Sequence, residues 1–105
     1  MTKDKRPLTE KEIKTKLKQF PGWTYKDNKI NKKFEFESFI DALTFINKLA
    51  FFSETIDHHP DIHIFYRKII FELQRFDIGG KVTEKDFRVA RKIEDLFKEY
   101  KFGKK

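Results

Sequence analysis

A chain of 105 residues can bury one small core but not two, so any site must sit on a single domain or be shared between subunits. The absence of cysteine excludes disulfides, zinc-thiolate centres and thiol catalysis, while the polar start MTKDKRPLTEKE and the lack of an apolar run near ~20 residues point to a cytoplasmic protein without a membrane span. The formal charge of +7 would attract polyanions, but 19 of the 24 basic residues are lysines interleaved with acids, which argues against a dedicated nucleic-acid role.

Apolar residues make up 38% of the chain, and 13 phenylalanines supply much of the area a core needs. Thr9 with Glu12 forms a capping-box pattern, followed by Ile13, Leu17 and Phe20 on one face, so PLTEKEIKTKLKQF predicts a short amphipathic helix that PGW stops. In WTYKDNKINKKFEFESF the period changes to alternation around KDNK, which predicts a β-hairpin. Ser38 and Asp41 then take N-cap and N3 positions. They open a longer helix with Phe39, Ala42, Leu43, Ile46, Leu49 and Ala50 on its expected core stripe. Phe45, Phe51 and Phe52 fall partly outside that stripe, and a helix apolar on two sides invites a second partner, such as another subunit.

IHIFY and KIIFELQRF read as a second hairpin, with Ile69, Phe71 and Leu73 on one face. DIGGK breaks the pattern. Thr83 and Asp86 then stand at N-cap and N3 of a final helix with Phe87, Ala90, Ile93 and Phe97 on one side. The order α-β-β-α-β-β-α predicts one α+β domain over 1–105, a four-stranded antiparallel sheet covered on one face by three helices, with polar, flexible ends near 1–7 and 101–105.

The chemistry concentrates in ETIDHHPDIHIFY, residues 54–66. Pro60 disfavours helical geometry at His59, so the long helix should stop there with His58 at its C-terminus. There the helix dipole favours an imidazolium, and Glu54, four residues earlier, would orient the ring as a general acid or base. The same residues also read as a polar helix stop in which a histidine stabilises terminal carbonyls. A metal site at His59 and His63 would need a continuous helix through Pro60, which proline opposes.

ETIDHHPDIHIFY resembles the signature of the pterin-4a-carbinolamine dehydratase family: Glu, three residues, His-His-Pro, five residues, an aromatic. Glu54, His58, His59, Pro60 and Tyr66 meet those positions, and the similarity extends through PGW, the aromatic helix and GGKVTEKDF over nearly the whole chain. The resemblance implies the same α+β fold, assembled as a homodimer or homotetramer through sheet edges and the central helix. It implies dehydration of a 4a-hydroxytetrahydropterin to quinonoid dihydropterin, serving tetrahydrobiopterin recycling with no metal or organic cofactor.

In that reading His58 is the leading acid-base group and His59 the second catalytic imidazole. Asp57 and Pro60 lie beside them, Glu54 supports the site, and Trp23 and Asp86 match further family positions. One residue departs from the pattern. Where the family places a third histidine, occasionally tryptophan, this chain has Phe76, flanked by Gln74, Arg75 and Asp77 on the corresponding substrate-contacting edge. Phe76 can stack on a pterin ring but cannot transfer a proton, which favours binding over turnover. Some members of the family also help dimerise a transcription factor, so a weakly active or non-catalytic homologue with a protein partner is the alternative.

Overall fold

The computed structural model describes residues 6–75 and 79–103. Its elements run α1 (Glu10–Leu17), β1 (Thr24–Lys26), β2 (Lys29–Glu35), α2 (Phe39–Ile56), β3 (Asp61–Phe65), β4 (Lys68–Leu73) and α3 (Glu84–Gly103). The strands form one antiparallel sheet in the order β1-β2-β4-β3, with the helices on one face, as the sequence predicts. The last helix continues to Gly103, into the stretch expected as a polar tail.

The register explains the core. Ile30 pairs with Leu73 and Phe34 with Ile69, so all four point to the helices, and all are buried. Lys32 lies between them opposite Phe71, and its stem runs along the core before its ammonium reaches Glu94 Oε2 at 2.6 Å and the Pro21 carbonyl at 3.0 Å. Around Phe34, the rings of Trp23, Phe71 and Phe97 stand edge-on at centroid distances of 6.2, 5.8 and 4.9 Å. Such pairs contribute about 0.5–1.5 kcal/mol each beyond buried area. The β1–β2 turn is made by Asp27 and Asn28, both at positive φ, the pattern of a type I′ hairpin that matches strand twist.

Each expected N-cap is present. Thr9 and Glu12 complete a reciprocal capping box on α1, and Ser38 Oγ accepts the Asp41 N–H at 3.0 Å on α2. The buried face of α2 differs from the expected stripe. Ala42, Phe45, Leu49 and Ser53 face inward, whereas Phe39, Leu43 and Ala50 are exposed. Apolar residues cover more than half of this helix's circumference, so periodicity alone cannot select the seam. Tertiary packing selects it: Phe45 fits against Phe36 and Phe71 at 5.0 and 6.0 Å. Among the described residues no helix is long and apolar enough to cross a membrane.

Candidate active site

The site begins where α2 stops. Asp57 takes a left-handed conformation with φ 52 and ψ 48, its N–H bonds the Glu54 carbonyl at 3.3 Å, and the His58 N–H reaches back to the Ser53 carbonyl at 3.0 Å. This is a Schellman-type ending, in which the reversed residue satisfies carbonyls that would otherwise be orphaned. Glycine usually fills that place, but Asp and Asn adopt the left-handed region more readily than other side chains. Pro60 then commits the chain to the extended path of β3.

The reversal at Asp57 sends the two imidazoles in different directions. His58 is buried, and its Nε2 lies 2.5 Å from Oδ1 of Asp86, a side chain with no exposed surface. Asp86 Oδ2 accepts the Thr83 N–H at 2.8 Å, and Thr83 Oγ1 accepts the Lys85 N–H at 3.2 Å. The carboxylate that caps α3 therefore also holds His58. As an acceptor-only group Asp86 calls for a proton on His58 Nε2, which leaves Nδ1 as the ring's other functional atom.

His59 is about half exposed, and its Nε2 lies 2.5 Å from Glu54 Oε2. The sequence reading paired Glu54 with His58 through helical spacing. The left-handed residue at Asp57 breaks that spacing, so Glu54 meets His59 instead. Two adjacent histidines thus carry two separate carboxylates, one in the core and one at the surface.

Beyond His59, Leu49, Ala50 and Ser53 of α2 face Pro60 and Ile62 across a cavity of about 220 Å³, which His59 also lines. Apart from His59, apolar side chains and the buried Ser53 line the cavity. An imidazole–carboxylate pair beside an apolar recess can deliver and accept protons at a flat, partly apolar ligand held there.

At the end of β4, Gln74 is half-buried and Arg75 is buried. The Arg75 backbone pairs with Lys81 and closes a tight return, with its N–H on the Lys81 carbonyl and its carbonyl on the Gly80 N–H, both at 2.8 Å. Gly80 has φ +74, and a side chain there would meet Gln74 Oε1 at 2.7 Å. Asp61, the first residue of β3, pairs with Glu72, two positions before Gln74. Phe76 and Asp77 lie outside the described residues.

Two expected supporting residues stand elsewhere. Trp23 is buried against Phe34 and donates its indole N–H to Glu94 Oε2 at 2.8 Å, two turns along α3 from Asp86. Tyr66 is exposed in the β3–β4 turn at φ 57, the length of β3 away from Asp61, roughly 16 Å at the usual rise per residue. His63 sits on the opposite face of the sheet from the helices and contacts Glu72 at 3.1 Å, so it does not join His59. Ser53, a lone serine inside an apolar helical run, lines the cavity beside His59 and is not singled out by the sequence pattern.

The family profile described as Pterin 4 alpha carbinolamine dehydratase matches residues 6–96. A Picosynechococcus sp. protein named for pterin-4-alpha-carbinolamine dehydratase is 47% identical over 89 residues, spanning 85% of this chain and 96% of its own. A Sulfolobus acidocaldarius protein of the same name is 40% identical over 89 residues, spanning 85% and 97%. The crystal structure of a transcriptional coactivator/pterin dehydratase from Brucella melitensis superposes with a TM-score of 0.82 at 31% identity, covering 87% of this chain and 98% of that one. The chain belongs to the pterin-4a-carbinolamine dehydratase family.

Proposed function

We propose that this member of the pterin-4a-carbinolamine dehydratase family dehydrates 4a-hydroxytetrahydropterin to quinonoid dihydropterin, the step that returns oxidised tetrahydrobiopterin to recycling. The observation that carries this reading is the pair of neighbouring imidazoles, each with its own carboxylate, of which His59 lines an apolar recess. The C4a–O bond breaks as an imidazolium gives its proton to the departing hydroxyl, which leaves as water. A base takes the N5 proton, and the C4a=N5 double bond forms. No electron is gained or lost, and no metal or organic cofactor enters the step.

The two histidines divide this work unequally. His59, open to solvent and steadied by Glu54, exchanges protons with water and acts on the substrate directly. His58, held in the core by Asp86, presents its remaining nitrogen at a fixed angle. In this reading both imidazoles are catalytic, His58 acting from the core side and His59 from the solvent side. Asp57 and Pro60 fix the turn, while Gln74, Arg75, Phe76 and Asp77 form the substrate-contacting edge. The test is the decay of a 4a-hydroxytetrahydropterin with and without the protein. A marked acceleration that His58→Ala plus His59→Ala abolishes supports the reading; equal decay with wild type and double mutant ends it.

Phe76 favours a second reading, a weakly active or non-catalytic homologue that binds pterin or a protein partner. Loss of one general acid or base costs about 10²–10⁴-fold. A Phe76→His variant that gains turnover over a silent parent selects this reading. The protein works as a homodimer or homotetramer in the cytoplasm: β3 is an edge strand, and Phe39, Leu43, Ile62 and Ile64 leave an apolar surface on the same side. A monomeric mass across micromolar concentrations in light scattering would contradict that assembly.

A further inference from the structure

We infer that Tyr66 completes the α2–β3 cavity of a second copy of this chain, as an aromatic wall supplied across the β3 edge. Tyr66 is 70% exposed, and among the described residues its ring stacks on no other and its hydroxyl makes no hydrogen bond. It also holds φ 57 in the two-residue turn between Phe65 and Lys68, a place that glycine or asparagine fills with less strain. Neither that turn nor the core of its own chain accounts for a tyrosine there.

The two edges of the sheet differ. β1 has three residues and ends on a lysine, whereas β3 presents five with no lysine, proline or glycine and leaves Ile62, Ile64 and Phe65 exposed. An edge without such guards pairs with another strand. A two-fold axis normal to the sheet keeps the helices of both copies on one side, so residues that oppose each other differ by an even number. Centred on His63, the middle of β3, the pairing uses the whole strand. Ile62 then meets the partner's Ile64, and one step beyond the strand ends Pro60 meets the partner's Tyr66. Pro60 and Ile62 both line the α2–β3 cavity beside His59. Moving the centre by one residue sets the partner's Tyr66 against Ile62 or His58, so each register brings it to this site. A tyrosine ring there offers a flat face to a planar ligand. The inference rests on the proposed pterin site and dimer, and adds that the site is shared between subunits.

The chain has no cysteine, so a single introduced thiol reports the pairing. Opposed residues in antiparallel strands stand about 4.5–5.5 Å apart at Cα, within disulfide reach, so oxidised His63→Cys should run as a covalent dimer on a non-reducing gel. A covalent dimer from Ile62→Cys or Ile64→Cys instead would uphold the shared site in a shifted register. Affinity for 6-methylpterin, which carries no 4a-hydroxyl, is then read by fluorescence quenching in the wild type, Tyr66→Ala, Ile64→Lys and the double variant. Ile64→Lys puts a charge on the open edge and should be monomeric in light scattering. Each single variant should lose about 3- to 10-fold, and the double variant no more than either, because both remove the same wall. Tyr66→Phe, which keeps the ring, should bind as the wild type does. No covalent dimer from any of the three thiols, unchanged affinity in Tyr66→Ala, additive losses in the double variant, or no pterin binding by the wild type would overturn the inference. Binding that follows the expected pattern without carbinolamine turnover would uphold the shared site while defeating the catalytic reading.

Discussion

The N-termini of α1 and α3 are built from the same chemistry and serve different ends. In α1, Glu12 Oε1 accepts the Thr9 N–H at 2.9 Å, and the carboxylate also takes both guanidinium nitrogens of Arg6 at 3.0 Å. In α3, Asp86 Oδ2 accepts the Thr83 N–H at 2.8 Å, and Oδ1 holds His58. Each carboxylate caps a helix with one oxygen and has a second partner. Glu12 and Arg6 are largely in water, whereas Asp86 and His58 are buried. Exposed pairs contribute little because solvent screens them, while a buried carboxylate deprived of its partner is costly. The cap at α1 closes a helix; the cap at α3 also aims a side chain.

Substitutions at the two caps should therefore diverge. Asp86→Ala is expected to have the largest effect, lowering unfolding free energy by about 3–5 kcal/mol in urea titration, because it strands a buried imidazole and a helix-terminal N–H together. Asp57→Val leaves both caps untouched but forces a β-branched residue into the left-handed region. It should cost about 1–2 kcal/mol more than Asp57→Gly and pull His58 away from Asp86, visible as a changed imidazole signal in NMR. Thr9→Ala should cost about 1 kcal/mol and leave pterin turnover unchanged.

The smallest effect is the pH dependence of the exposed cap. The Arg6 guanidinium, aided by the Thr9 N–H, lowers the Glu12 carboxyl from 4.5 to about 2. A lowered folded-state value means that its contribution is complete above about 4.5 and fades as pH falls towards 2. Glu12→Gln should flatten the stability profile in that window. A profile identical to wild type would remove Glu12 from the account of acid sensitivity.

Local signals in the chain carry most of the architecture. The caps at Thr9, Ser38 and Thr83, the Asp27-Asn28 turn and the alternation of Ile69, Phe71 and Leu73 each state a preference that the tertiary structure keeps. The seam of α2 was not legible because its apolar surface is wider than one face, and only contact with Phe36 and Phe71 brings Phe45 inside. The candidate site was legible as a cluster of residue types but not as a set of partners. A single left-handed residue, Asp57, exchanges the directions of His58 and His59, and Asp86 reaches His58 across 28 positions of sequence. Helical spacing contains no term for either event. Asp86 reads locally as an N3 cap, and nothing in that pattern says that its second oxygen is used.

The measurement that bears most directly on the recruited cap is carbinolamine turnover by wild type and Asp86→Asn, with thermal unfolding of both. An asparagine oxygen still accepts the Thr83 N–H, but its amide donates to His58 and reverses the ring's proton placement. The account predicts that the wild type accelerates dehydration and that Asp86→Asn loses about 10²–10⁴-fold while remaining folded. Equal turnover by the two folded proteins would contradict it.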